Sequence, residues 1–301
     1  MIEKINISGT VLFDEPMSRH TSYRIGGPAD VYTEPLNEDD LARILDAAVN
    51  SGVKWSILGG GSNILVSDDG IRGIVIDTCN LRHLVLEHDT CRAGSGLAVS
   101  DVAEYCGLRG LGGLETFYAM PGTIGGAVWM NARCYGVSIS DILLETRMLT
   151  PGGDIYTFRP STEEFGYKRT PFQATGEVIL GATFRVGKAD PAALAERMAE
   201  VRADRESKGH FTAPCAGSVF KNNREFGNPS GKIIDSLGLR GFRIGDAVVS
   251  PRHANFIINA GSAKAGDVKA VIDHVQSRVK EAYGFELEPE VLFVGEWKEE
   301  R

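Results

Sequence analysis

Trp55-Ser56-Ile57-Leu58-Gly59-Gly60-Gly61-Ser62-Asn63-Ile64-Leu65-Val66 runs from an apolar, strand-like segment through a glycine triplet into a second apolar run. Glycines directly after a strand let backbone N–H groups converge on an anion without side-chain obstruction, and Ser62 and Asn63 add donors. A flexible turn has the same composition, so the loop by itself leaves both readings open. Two familiar nucleotide loops are excluded. Gly187-Lys188 and Gly231-Lys232 lack the spacing and the hydroxyl residue of a Gly-x-x-x-x-Gly-Lys-Ser/Thr loop. No helix with an acidic residue about 20 positions on follows Gly61 in a βαβ context, so a Rossmann fingerprint does not fit.

A second glycine cluster lies downstream. Leu111-Gly112-Gly113-Leu114-Glu115 leads into Met120-Pro121-Gly122-Thr123-Ile124-Gly125-Gly126-Ala127, then Met130-Asn131. Two glycine loops among apolar residues predict closure over one extended phosphate-bearing ligand, and a dinucleotide in extended form suits them.

Around these loops, Leu41, Ile44, Leu45 and Ala48 follow helical spacing behind a cap at Asn37. Val99, Val102, Ala103 and Cys106 repeat the pattern up to Gly107. Asp190-Pro191 opens a third helix, cap then proline, and Val268, Val271, Ile272, Val275 and Val279 mark a fourth. Strands are predicted over 54–58, 73–77, 84–87, 143–150, 155–158, 178–186, 253–259 and 291–295. They outnumber the helices without alternating regularly, which predicts an α+β fold over a doubly wound parallel sheet. The helix from Asp190 follows Gly187-Lys188-Ala189 and marks a seam, giving domains 1–187 and 188–301, the first split near residue 79.

The 301 residues are 43% hydrophobic and 24% charged, an ordinary globular balance. The 36 glycines have no fixed period, which excludes a collagen-like chain. A net charge of -8 and a pI near 5.4 argue against a nucleic-acid partner. No apolar run reaches the roughly 20 residues that span a bilayer. Met1–Phe13 lacks a signal-peptide core, and Cys79, Cys91, Cys106, Cys134 and Cys215 form no Cys-x-x-Cys pair. A cytoplasmic protein with reduced thiols and no metal site is expected.

Seven stretches in order, the two glycine loops among them, carry a resemblance along nearly the whole chain, from about His20 to about Gly295. Thr21-Ser22-Tyr23-Arg24-Ile25-Gly26-Gly27-Pro28-Ala29, the Gly59–Asn63 loop and Pro121–Asn131 resemble the N-terminal signature and two flavin loops of the UDP-N-acetylenolpyruvoylglucosamine reductases (MurB). Cys215-Ala216-Gly217-Ser218-Val219-Phe220-Lys221-Asn222 is similar to their serine motif. Gly231-Lys232-Ile233-Ile234-Asp235, His253-Ala254-Asn255-Phe256-Ile257 and Leu287-Glu288-Pro289-Glu290-Val291 complete the set. The short stretch between Tyr167 and Val186 resembles the type II subgroup, which lacks an extra capping loop.

The resemblance implies a two-subdomain FAD-binding fold of the vanillyl-alcohol-oxidase type, followed by a C-terminal α+β substrate domain. It implies FAD as cofactor, NADPH as co-substrate and a UDP-sugar substrate, in a monomer or weak homo-oligomer. NADPH would reduce FAD, and reduced flavin would convert UDP-N-acetylglucosamine enolpyruvate to UDP-N-acetylmuramate in peptidoglycan synthesis. Cofactor contacts are implied for Tyr23, Gly59, Gly60, Gly61, Ser62, Asn63, Pro121, Gly122, Thr123, Gly125, Gly126 and Asn131, and substrate contacts for Lys221, Asn222 and His253.

Hydride addition to the substrate's terminal vinyl carbon would leave an enolate-like species. That species needs positive charge or acidic hydrogens at its oxygens, and a proton donor for the other carbon. By resemblance the donor is Ser218 and the residue assisting the enolate is Glu290. A serine hydroxyl is a poor acid and needs a partner for its transient alkoxide. Lys221 is a candidate for that role, or for the substrate's diphosphate. Where the family has a Tyr-Arg pair, this chain reads Tyr167-Lys168-Arg169. Lysine offers a point charge where arginine offers a fork, and in an extended segment Lys168 and Arg169 would face opposite sides, so both stand as candidates. Arg133-Cys134 and His20 are further departures from the family pattern.

Overall fold

The computed structural model describes residues 7–161 and 164–297, so the first six residues of the N-terminal alternation lie outside them. The chain forms two compact units. The first takes in the chain up to Phe13, Val31–Gly60 and Gly73–Ala203, and the second Asp14–Asp30, Gly61–Arg72 and the chain from Asp204. The division falls inside the helix Pro191–Ser207 and inside three strands, Thr10–Pro16, Pro28–Glu34 and Ile71–Asp77, which run on from one unit into the other.

In the first unit, Trp55–Leu58 pairs in parallel with Ile71–Asp77 at the edge of a four-stranded sheet, Ile57 standing beside Ile76. The helix Glu38–Ser51 covers this sheet. Asn37 caps it, its side chain accepting from the Asp40 N–H at 2.9 Å, and Gly52 ends it in the left-handed region at φ 64°. Glu38, Asp39 and Asp40 in its first turn complement the helix dipole. Its buried stripe, Leu41, Ile44, Leu45 and Ala48, packs with Val31, Ile74, Ile76, Leu149, Val178 and Leu180. Each buried Leu, Ile or Val among them contributes on the order of 1.5–3 kcal/mol by leaving water.

A five-stranded antiparallel sheet follows, in the order Ile155–Phe158, Leu143–Leu149, Val178–Arg185, Thr90–Gly94, Leu84–Glu87. Its central strand, Val178–Arg185, is buried from Val178 to Phe184, which explains its near-continuous apolar run. The helix Val99–Gly107 and the short helix Ile124–Trp129 add Val99, Val102, Cys106, Ile124 and Val128 to the core with it. Gly125 and Gly126, expected in a loop, are therefore helical. Thr123 caps them, accepting from the Gly126 N–H.

The second unit holds an antiparallel sheet in the order Cys215–Ser218, Phe256–Asn259, Ala247–Val249, Arg243–Ile244. The helix Ala265–Tyr283 presses Val268, Val271, Ile272, Val275 and Val279 into its core. Ile64–Val66 pairs in parallel with Leu292–Val294. The strand expected over 253–259 begins only at Phe256. Before it the chain turns, the Ser250 hydroxyl oxygen accepting from the backbone N–H groups of Arg252 and His253. The mixed, irregularly ordered elements bear out the α+β reading.

Candidate active site

In the first unit the two glycine clusters meet. A methyl on Gly60 would stand 2.7 Å from Gly122 Cα, and one on Gly59 would stand 2.6 Å from Thr123 Oγ1. The absent side chains are what let the loops pack. Pro121 and Gly126 remain exposed. Behind them, Gly125 donates its N–H to the Ser95 carbonyl at 2.9 Å.

Gly61, Ser62 and Asn63 belong to the second unit. Gly61 sits at φ 57°, where a methyl would fall 2.1 Å from the His20 carbonyl oxygen, so no other residue fits. Its own carbonyl accepts from the Ser22 N–H at 3.0 Å. Among the described residues, none of Gly61, Ser62 and Asn63 gives its backbone N–H to a protein acceptor. Three successive donors of this kind suit the oxygens of a diphosphate, and the residues present therefore fit the flavin nucleotide that the sequence implies. The Asn63 side chain does something else: Nδ2 donates to the Glu290 carbonyl at 3.1 Å, while the Asn63 carbonyl accepts from the Leu292 N–H at 3.0 Å.

Ser218 ends the strand Cys215–Ser218 opposite Phe256, half-buried. Between the pair of Cys215 with Ile258 and that of Ser218 with Phe256, Ala216 and Gly217 oppose the single residue Ile257, a bulge that Gly217 permits at φ 72°. The next residues run beside the C-terminal segment. Glu290 donates its N–H to the Val219 carbonyl at 2.6 Å, Phe220 bridges to Pro289, and Lys221 donates to the Glu288 carbonyl at 2.9 Å. Ser218, Glu290 and Asn63 thus lie on neighbouring, hydrogen-bonded segments of one unit. The Lys221 ammonium is ion-paired with Glu288.

Asn222 and His253 are tied into the fold. Asn222 Oδ1 accepts from the Ser230 N–H at 2.9 Å, at the start of the helix Ser230–Ser236. His253 Nδ1 accepts from the Asn255 N–H at 3.3 Å, and its ring lies 4.5 Å from that of Phe256. Burial, with the positive charge of Lys208 and Arg240, holds the His253 imidazole below its usual pKa. Tyr23 is wholly enclosed in the second unit's core, and burial raises its pKa.

Asn131 and the basic pair belong to the first unit. Asn131 is buried, its amide donating to the Gly166 carbonyl at 2.9 Å and its oxygen accepting from the Ser140 N–H at 3.0 Å. The extended geometry considered for Lys168 and Arg169 is absent. Gly166 and Arg169 exchange two backbone hydrogen bonds, 3.0 and 3.2 Å, closing a tight turn with Lys168 at φ 57°. Lys168 Nζ lies 5.8 Å from the centre of the Tyr167 ring, and the exposed Arg169 folds its guanidinium towards Gly166.

Asn255 is the residue whose part sequence reasoning missed. It is 2% exposed and grips both backbone groups of Phe220, Oδ1 accepting from the N–H and Nδ2 donating to the carbonyl, each at 2.9 Å. Its partner lies 35 residues away, so no local signal marks it.

Residues 29–159 match a family described as FAD binding domain. Residues 209–294 match the C-terminal domain of UDP-N-acetylenolpyruvoylglucosamine reductase. The UDP-N-acetylenolpyruvoylglucosamine reductase of Treponema denticola is 42% identical over 96% of this chain and 95% of its own length. That of Geobacter metallireducens is 40% identical over 97% of each. The crystal structure of the Thermus caldophilus enzyme, UDP-N-acetylenolpyruvylglucosamine reductase (MurB), is 28% identical and aligns at a TM-score of 0.81 over 96% of this chain and 100% of that one. The chain belongs to the UDP-N-acetylenolpyruvoylglucosamine reductase family.

Proposed function

We infer that this chain catalyses the NADPH-dependent, FAD-mediated reduction of UDP-N-acetylglucosamine enolpyruvate to UDP-N-acetylmuramate in peptidoglycan synthesis. The chemistry that bound FAD supplies is hydride transfer, from NADPH to the terminal vinyl carbon of the substrate. On the first unit Gly59, Gly60, Pro121, Gly122, Thr123, Gly125 and Gly126 would contact the cofactor, and on the second Gly61, Ser62 and Asn63 would offer donors to a diphosphate. Tyr23 and Asn131, whose side chains are enclosed, would act through the backbone they anchor.

Ser218 would give its hydroxyl proton to the second vinyl carbon, and Glu290 would assist at the enolate. The observation that carries this reading is the 2.6 Å hydrogen bond from the Glu290 N–H to the Val219 carbonyl, which joins the two segments. Lys221, Asn222 and His253 would serve the nucleotide-sugar side. For the cation we assign Lys168. It follows Tyr167 directly, as the arginine does in the family's Tyr-Arg pair, with Arg169 as the alternative.

Among the described residues, no helix is long and apolar enough to cross a membrane. We infer a cytoplasmic monomer or weak homo-oligomer, and the net charge of -8 argues against a nucleic-acid partner. Residues 1–187 would form the FAD-binding domain and 188–301 the substrate domain. Ser218→Ala tests the assignment: flavin reduction by NADPH should stay within twofold of the parent while substrate-driven reoxidation slows strongly. Equal loss in both half-reactions would contradict it.

A further inference from the structure

Regular pairing ends at Ser218 opposite Phe256, so the residues after Ser218 run past the end of the strand Phe256–Asn259 and meet Asn255 instead. Its carbonyl accepts from the Val219 N–H at 2.8 Å, and its side-chain amide meets both backbone groups of Phe220 as another peptide unit would. The opposite edge of the same segment carries Glu290, through its bond to the Val219 carbonyl, and Glu288, through Lys221. The segment after Ser218 is therefore held between Asn255 on one edge and the Glu290 segment on the other.

The Asn255 backbone is itself held. Its N–H donates to His253 Nδ1, and the His253 N–H donates to the Ser250 hydroxyl oxygen. At 2% exposure, water does not substitute for the amide. Only a primary amide of this length offers one donor and one acceptor to the same backbone residue. A carboxylate keeps the acceptor but turns a second oxygen against the Phe220 carbonyl.

We propose that Asn255 is a positioning residue for proton delivery: its amide fixes the Val219–Phe220 backbone and so sets Ser218 against Glu290. This rests on the reading that Ser218 and Glu290 serve substrate reduction. Asn255 touches neither, acting through the two residues that separate Ser218 from Lys221.

The test compares Asn255→Asp and Ser218→Ala with the parent, each as flavin-loaded full-length protein. The two half-reactions are followed anaerobically, first with NADPH and then with UDP-N-acetylglucosamine enolpyruvate. For Asn255→Asp the expected result is parent-like flavin content and flavin reduction within twofold, with reoxidation slowed tenfold or more. The solvent deuterium isotope effect on reoxidation should also increase, and amide exchange in the 218–221 stretch should quicken. A solely structural role would lower flavin content and both half-reactions together and leave the isotope effect unchanged, and that result would overturn the proposal. Unchanged reoxidation in Asn255→Asp beside slowed reoxidation in Ser218→Ala overturns the positioning role alone. Unchanged reoxidation in Ser218→Ala overturns the underlying reading. If Asn255→Asp does not load flavin, Asn255→Ser carries the same comparison, with the same outcomes deciding it.

Discussion

The side-chain amide of Asn63 donates to the main-chain carbonyl of Glu290 across 227 residues of sequence. The last residue of the glycine loop is thereby tied to the segment that bears the proposed enolate-assisting acid. A net hydrogen bond of this kind is worth about 1 kcal/mol. Asn63→Ala should therefore slow substrate-driven reoxidation severalfold while altering NADPH-driven reduction less, measured by rapid mixing. Equal loss in both steps would assign Asn63 to the cofactor alone.

Gly60 is fixed by packing. With a methyl there 2.7 Å from Gly122 Cα, backbone has to move, and overpacking of this kind costs about 1–3 kcal/mol. Gly60→Ala should weaken FAD binding by about tenfold, where 1.4 kcal/mol corresponds to one decade. Gly187→Ala is the control, because a methyl there meets nothing within 4 Å. Flavin fluorescence titration of both variants distinguishes loop packing from a general cost of losing glycine.

Lys168 carries opposite expectations for stability and activity. A non-glycine residue in the left-handed region costs roughly 1–2 kcal/mol, which glycine does not incur. Lys168→Gly should raise the melting temperature by a few degrees and still impair turnover if the ammonium is the working cation. Arg169→Ala should be milder, since that side chain is exposed. Equal mild effects from both would remove the pair from the mechanism.

Two imidazoles flank Phe256, those of His210 and His253, each with its ring centre 4.5 Å from the phenyl centre. Burial, with Arg205 beside it, lowers the His210 pKa to about 4. Because the unfolded chain binds that proton first, stability is fully present above the unfolded value near 6.5 and is lost as pH falls towards about 4. His253, also lowered, acts in the same direction. Thermal unfolding between pH 7 and pH 5 should show this fall, and His210→Phe should flatten it. An unchanged slope in the variant would contradict the assignment.

What was legible in the sequence was local. Asn37, the Leu41–Ala48 stripe and the apolar run from Val178 declare their elements because cap chemistry and periodicity act within a few residues. Gly59–Asn63 was legible as a loop, whereas Gly125 and Gly126 proved helical, and the meeting of Gly60 with Gly122 depends on packing between distant segments. Cys215-Ala216-Gly217-Ser218 shows no alternation, since a bulge interrupts it and its strand character comes from Phe256–Asn259. Lys168 illustrates a tertiary override. In place of the extended segment considered for Lys168 and Arg169, Gly166 and Arg169 close a turn, and Asn131 and Gln173 hold it through the carbonyls of Gly166 and Lys168. The serine and glutamate motifs were found by resemblance, and their adjacency by structure.

The most direct test of the account is anaerobic. Protein loaded with FAD and reduced by NADPH is mixed with UDP-N-acetylglucosamine enolpyruvate in the absence of oxygen. The oxidised flavin absorbance should return with formation of UDP-N-acetylmuramate, and Ser218→Ala should slow this return without slowing the preceding reduction. Colour that returns only when oxygen is admitted, with peroxide as product and the nucleotide sugar unchanged, would contradict it.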